Sequence, residues 1–524
     1  MIARKALQFL VCFSFLAGAL LGAVPRAERG EQVSISPSPA RPQPKGSRTS
    51  NKRTDAQIRK CLWKKNEAKR LRRKNARENH AQFYRKVDNL ADLPQTSFAG
   101  DLNDYKLALD RQKNFCKAPK GVPASVKIGD CQLSSDQWCN QMTETFMKAI
   151  DDDKSKTLAE FASLIRTRFD WYELQGSNGS KGVQETGYYT PVIEASRKKT
   201  DEYSVPIYGK PPELVHVSFP GDVAVANHWR VKNANGQYVK YYTRQEIENG
   251  KIPRELAIAY VKDLPTLIDL QIEGSGQFVI HEPDGKGLTT SFLGYAAENS
   301  QPNNMPASIM DCMGYDPSTW STQRRILDYF KQHPDEIKKI MRFDPSYVFY
   351  QEQKGGPYGM GQIQLTKDVS LASNPRILPT GLTVLYTAQE LNKDTGKVEE
   401  VSRVGIPQDR GGAVNFSVDR YRGEGATGFA LSESLNVHGR LFIPVPKNCP
   451  AVASAPTVVA SGVSPGTSPS APPGPAASSA PAAAPASPAA PPAAVSNPEV
   501  PAALAPQTQS RSSSADAPQK NPSL

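Results

Sequence analysis

Residues suited to holding a metal are scarce in this chain. It has 524 residues but only 6 histidines, and no CxxC or Cys/His cluster. A zinc or other transition-metal centre therefore has little to be built from, and no cofactor is expected. Net positive charge is also missing from most of the chain. The net charge is +12, and the segment Lys45–Leu90 alone holds 16 Lys and Arg against 4 Asp and Glu, so the remainder nets zero. The basicity belongs to one segment, and no specific nucleic-acid partner is expected of the rest. Aromatic residues are absent after Ala451, where Ala/Pro/Ser repeats dominate. Such a tail cannot bury a core, and disorder is expected over 448–524.

What remains is informative. Arg4 and Lys5 precede a nearly unbroken apolar run from Ala6 to Val24. Residues 1–24 have the layout of a signal peptide or of an uncleaved N-terminal anchor, and either makes the protein an exported one. Without Cys12, which lies in that run, six cysteines remain. An even number in an exported protein suits disulfides, and six cysteines allow 15 pairings. Residues 25–110 are expected to run from disordered to helical. Ile58, Leu62, Leu71 and Phe83 are too sparse for a buried stripe among the Lys and Arg. This segment is either a tether to an anionic surface or polymer or a solvated charge run.

Trp138, Met142, Phe146 and Ile150 recur at helical spacing, as do Leu158, Phe161, Ala162, Ile165 and Phe169. They predict two core helices. From about residue 184 to 447, short β-rich runs recur between turn residues: SVPIY, YVKYYT, TLIDLQI, GQFVIH, YVFYQ, LTVLYTA and GRLFIPVP. That rhythm predicts β-barrels or sandwiches. One helix is expected over 322–341.

The stretch AVNFSVDRY, 413–421, alternates. As a strand it turns Val414, Phe416 and Val418 to a core, and Asn415, Ser417 and Asp419 to the other face with Tyr421 beside them. Aspartate is disfavoured in strands, so Asp419 invites an explanation. Gly411-Gly412 before the strand and a loose glycine-rich loop over 422–428 after it would admit a bulky polymer.

Six blocks carry a resemblance: ETGYYTPVIEAS (185–196), DLQIEGSGQ (269–277), DPSYVFYQ (344–351), NPRILPTGLTVL (374–385), DRGGAVNFSVDRYRGEG (409–425) and HGRLFIPVP (438–446). In this order they resemble the signature blocks of the membrane-bound lytic murein transglycosylase A family. The resemblance implies a mainly β fold with some helices: a double-psi β-barrel formed by 111–195 and 345–447, interrupted by a smaller β-domain at 196–344, with a groove between them. YVFYQ would resume the barrel. It implies peptidoglycan glycan strands as the partner, cleaved between N-acetylmuramic acid and N-acetylglucosamine with a 1,6-anhydro end. The site of action would be the periplasm or envelope of a Gram-negative bacterium.

The family's catalytic aspartate falls on Asp419 and a supporting one on Asp409. Thr186, Gly187, Tyr188, Tyr189, Gln271, Ser417, Tyr421 and His438 become candidate substrate-binding residues. Of Tyr188 and Tyr189, alternation lets only one face the groove. Three departures stand out. Asn374 occupies a usual Asp position, His438-Gly439-Arg440 replaces a Tyr-Gly-Arg-like block, and the two aspartates are one residue closer than usual. A groove that binds glycan without cutting it is the competing reading. A further alternative makes the basic segment a polyanion binder on a scaffold barrel.

Overall fold

The computed structural model describes residues 53–449, except 79–82, 96, 121, 153, 177–181, 218–227, 283–286, 392–394, 412–413, 415 and 448. All of these belong to the first of two compact units, 1–454; the second is 455–524. The N-terminal apolar run, Gly412, Asn415 and nearly all of the Pro/Ala tail lie outside the described residues. No helix among those described is long and apolar enough to cross a membrane.

Helix α1, Asp55–Glu78, takes up the basic segment. Its apolar face is not too sparse to dock. Ile58 and Leu62 are buried in a cluster with Ile309, Met310, Phe330 and Ile340, while Leu71 stays exposed. Two buried aliphatic side chains stabilise such a contact by about 1.5–3 kcal/mol each. Covalent and polar ties reinforce it: Cys61 is bonded to Cys312, and Arg53 donates to the Cys312 carbonyl at 2.9 Å. A stripe of two residues suffices because the disulfide and the polar ties supply the rest.

The predicted core helices form at Met142–Asp151, entered through a π-helical turn at Asp136–Gln141, and at Leu158–Arg166. Trp138, Phe146, Phe161 and Ile165 are fully buried beneath the main sheet. Cys116–Cys139 and Cys131–Cys449 complete three pairings among the six cysteines.

One expected strand is a helix. The run TLIDLQI lies in α2, Leu264–Glu273. Asp263 caps its first turn by accepting from Thr266 N at 2.9 Å, Pro265 sits in that turn, and Gly274 ends it in the left-handed region with φ 80°. These start and stop residues outweigh the β-branched composition. The helix expected over 322–341 is two, α3 (Gln323–Gln332) and a second at Pro334–Met341, because Pro334 cannot continue the first.

The strands that matter for the site are β1 (Val183–Thr190), β2 (Ser370–Ser373), β3 (Val398–Arg410), β4 (Ser417–Glu424) and β5 (Asn436–Gly439). The loose loop expected over 422–428 is absent: β4 runs on to Glu424, and helix α4, Gly425–Glu433, follows directly. Among the described residues nine strands make one sheet, in the order Tyr84–Lys86, Phe169–Leu174, Leu441–Pro446, Val384–Leu391, β3, β2, β4, β1, β5. The sheet curls back on itself. Past the end of β5, Thr387 N donates to the Arg440 carbonyl at 2.8 Å, and a Cβ on Gly439 would fall 1.7 Å from the Thr387 carbonyl oxygen. The result is barrel-like, mainly β with helices packed outside.

A second sheet of six strands runs Val348–Gln353, Leu288–Glu298, Gly276–His281, Val192–Ser196, Ala257–Val261, Val205–Tyr208. YVFYQ therefore does not resume the barrel; it pairs antiparallel with Leu288–Glu298, Tyr350 opposite Tyr295. The inserted β-domain keeps that strand because its inward residues, Phe349 and Tyr350, are buried in the insert's own clusters.

Candidate functional site

The sheet order β3-β2-β4-β1 brings the two aspartates together. Ala372 on β2 is opposite Asp409 of β3 on one side and opposite Asp419 of β4 on the other. Residues opposite each other across a ladder point the same way. Both carboxyls therefore rise over one small side chain, separated by about two strand spacings, ~10 Å. On the far side of β4, Thr186 of β1 is opposite Asp419 and its hydroxyl donates to Asp419 Oδ1 at 3.1 Å. Two residues on, Tyr188 reaches back over the same face and donates its hydroxyl to Asp409 Oδ2 at 3.0 Å. Its ring meets Tyr421 with centroids 5.4 Å apart. Tyr421 is buried and its hydroxyl lies 3.2 Å from Thr190 Oγ1.

The alternation expected of β4 is present. Val418 is buried, Phe416 packs against the core with its ring 4.4 Å from Phe83, and Ser417 and Asp419 are partly buried on the other face. Arg420 points away from Asp419 into the barrel, fully buried. There it pairs with Glu185 at 2.9 Å and Glu390 at 2.6 Å. Glu390 also accepts from Arg403 at 2.6 Å. Burial alone would raise the Glu390 carboxyl, but Arg403 and Arg420 outweigh it and bring it to about 2. The positive charge nearest in sequence to Asp419 is thus spent on the far side of the sheet.

With that charge removed, burial pushes Asp419 up to about 7, and the Asp409 and Glu185 carboxylates add to the rise against the Thr186 hydrogen bond. Asp409 is pushed up to about 6 by burial, held back by the Arg410 backbone N–H and by Tyr188. Both aspartates are thus raised foremost by burial, and the Asp409 charge adds to the rise of Asp419.

The remaining sequence candidates divide. Tyr188 faces the aspartates, whereas Tyr189 turns to the other side of β1, stacking on Phe429 of α4 at 4.9 Å and donating to Asp269 of α2 at 2.6 Å. Gly187 is small for a packing reason, not to admit a polymer: a Cβ there would sit 2.8 Å from Ser432 Cα of α4. Gln271 projects from α2 on the side away from Asp269 and Glu273, toward Tyr347 of the insert. Ser417 is opposite Gln184 at the start of β4. His438 is exposed on the edge strand β5, opposite Gln184 and not Thr186. Asn374 serves a turn: its Oδ1 accepts from Arg376 N at 3.1 Å and its carbonyl from Leu378 N at 2.9 Å.

Sequence reasoning missed Glu273 and Asp269. Glu273 ends α2, its Oε1 accepting from Gln323 at 2.8 Å, and the Asp419 carboxylate acts on it through space. The spacing Asp-x-x-x-Glu was the available signal, hidden while that run was read as a strand. A cavity of about 310 Å³ opens beside Tyr189, lined by Asp269, Lys331, Phe429 and Val192 among others; Asp419 does not line it. No cluster of three metal-ligating side chains occurs among the described residues.

Residues 184–351 match the family model described as the MltA specific insert domain. The chain is 25% identical over 280 residues to the membrane-bound lytic murein transglycosylase A of Escherichia coli K12, covering 52% of this chain and 68% of that one. It is 26% identical over 292 residues to the homolog from Buchnera aphidicola, covering 55% and 73%. Its fold matches the crystal structure of a membrane-bound lytic murein transglycosylase from Agrobacterium tumefaciens, with TM-score 0.56 and 21% identity over 69% of this chain and 97% of that one. It also matches E. coli MltA with bound chitohexaose, with TM-score 0.51 and 21% identity over 69% and 94%. In its insert domain, its sequence and its barrel-like fold, the chain is similar to the membrane-bound lytic murein transglycosylases A.

Proposed function

We propose that this protein is a lytic transglycosylase of the cell envelope. It cleaves the β-1,4 bond between N-acetylmuramic acid and N-acetylglucosamine in peptidoglycan and closes a 1,6-anhydro ring, with Asp419 acting first as acid and then as base. The observation that carries this reading is the environment of Asp419: a partly buried carboxyl with one hydroxyl donor, a like charge nearby, and its neighbouring arginine turned away. Ordinary glycosidases need two carboxylates because water or an enzyme group must attack the sugar. An anhydro ring forms when the sugar's own C6 hydroxyl attacks C1, so one carboxyl can serve twice. Asp419 gives its proton to the departing glycosidic oxygen, then takes the C6 hydroxyl proton as that oxygen bonds to C1. Asp409 supports this by remaining ionised while Asp419 keeps its proton. The names of the relatives and the chitohexaose bound by one of them favour a glycan strand as the ligand. The cationic helix α1 then suits an anionic surface or polymer of the envelope.

The test is digestion of purified sacculi with product analysis by mass spectrometry. Disulfides Cys61–Cys312 and Cys131–Cys449 tie down both ends of the folded part, so the full chain is used. Products with 1,6-anhydro ends are expected. Reducing ends would mean hydrolysis and would sink the one-carboxyl mechanism, and sedimentation with sacculi without products would point to a binding protein.

The pH dependence follows from the signs. The active form needs Asp419 protonated, so activity falls as pH rises through about 7. Asp409→Asn removes the like charge, lowers the Asp419 pKa and shifts the alkaline limb of the pH–rate profile to lower pH. An unmoved limb in that variant would remove Asp409 from its supporting role.

A further inference from the structure

We propose that Glu273 is a positioning residue of this same groove, holding an acetamido carbonyl oxygen of the bound glycan beside Asp419 through a hydrogen bond from its carboxyl group. The inference rests on the glycan reading of the site and extends it to a residue on the insert.

The geometry begins with α2, whose Asp269 and Glu273 are four residues apart and so share one helix face. Both turn to the junction where β1 leaves the barrel for the insert. Tyr189 donates its hydroxyl to Asp269 Oδ2 at 2.6 Å, and its backbone N–H approaches Glu273 Oε2 at 3.4 Å. A single amide nitrogen, Gln323 Nε2 of α3, donates to Asp269 Oδ1 at 2.7 Å and Glu273 Oε1 at 2.8 Å. Neither carboxyl is in an ion pair among the described residues. Lys331 acts on Asp269 only at longer range, and Arg324, near Tyr189, is paired with Glu433 and lies over Phe429.

Two adjacent carboxylates with neutral donors but no paired cation, and with Asp419 nearby, cannot all stay ionised at neutral pH. Burial foremost, then Asp269, with Asp419 adding, pushes Glu273 up to about 8. The proton belongs on Oε2, because Oε1 takes the short bond from Gln323 and the approach of Tyr189 N is long. No acceptor among the described residues receives that proton. Glu273 is partly buried, so its free O–H can meet a ligand. An N-acetylated sugar offers an amide carbonyl, its strongest neutral acceptor, to such a donor. Deprotonation would replace this donor by a negative charge and set it against the same oxygen.

The test is calorimetric binding of chitohexaose to the full chain carrying Asp419→Asn, which keeps the ligand uncut. At pH 6.5, Glu273→Ala in that background is expected to weaken binding by roughly tenfold, while Glu273→Gln, whose amide donates from the same place, is expected to retain it. At pH 9.5 the Glu273 protein is expected to lose roughly the same factor and the Gln variant to lose none. Cellohexaose, lacking acetamido groups, should show no dependence on residue 273. Equal chitohexaose affinities for Glu273 and Ala at pH 6.5, or no weakening of the Glu273 protein at pH 9.5, would overturn the inference. A protein that yields no anhydro products yet binds chitohexaose in this Glu273-dependent way would lose the proposed reaction and keep this residue's role.

Discussion

Asp419→Asn is expected to reduce release of anhydro-ended muropeptides from sacculi by roughly 10²–10⁴-fold, the range general acid–base groups supply. The amide fills the same space and can still accept from Thr186, so the fold and glycan binding should persist. It can neither protonate the glycosidic oxygen nor take up the C6 proton, so both halves of the reaction lose their proton carrier at once. Mass spectrometry of a timed digest measures the fall, and chitohexaose binding by the same variant confirms an intact groove. A variant that cleaves within about tenfold of the unaltered protein would remove Asp419 from the chemistry and return the search to the other partly buried carboxyls, Asp409 and Glu273.

Arg420→Met is expected to destabilise the protein by about 3–5 kcal/mol, because it strands buried negative charge. Arg420 is the fully buried hub between Glu185 and Glu390. Methionine matches much of its length but leaves Glu185 facing Glu390 across the barrel with only Arg403 to compensate. Denaturant unfolding would show the loss as a lower midpoint. A second consequence follows from the register: Glu185 precedes Thr186, and Val418, which is opposite Glu185, precedes Asp419. Loosening this lock should misplace the Thr186 hydroxyl, so the fraction that folds should also lose activity. Removal of both charges in Arg420→Met/Glu185→Leu should recover part of the stability. A loss below about 1 kcal/mol in the single variant would show the network to be dispensable.

Much of the site was legible because strands encode their two faces in every second residue. The alternation in SVDRY was enough to place Asp419 opposite in direction to Arg420, and the family blocks singled out Asp409. Where the reading failed, the cause was local or long-range. TLIDLQI has a strand's composition, but Asp263, Pro265 and Gly274 make it a helix, and those caps were overlooked. On that helix Gln271, a groove candidate by the resemblance, turns away from the face that carries Asp269 and Glu273. Gly187 is small because the Ser432 end of helix α4 presses on it, a long-range contact that spacing does not show. His438 lies two positions along β5 from the residue that faces Thr186.

The sequence by itself determined the composition of the parts: one basic segment, core helices, alternating strands, and an aspartate on the open face of one of them. It could not determine that aspartate's working state. A carboxyl near pH 7 depends on its burial and on the charges around it, and those come from Glu185 of β1 and Asp409 of β3, far apart in the chain. Only the tertiary structure set Ala372 between the two aspartates, turned Arg420 onto Glu185 and Glu390, and brought Glu273 of the insert under the electrostatic influence of Asp419. Electrostatic energies depend on distance and burial, and neither is a property of sequence position.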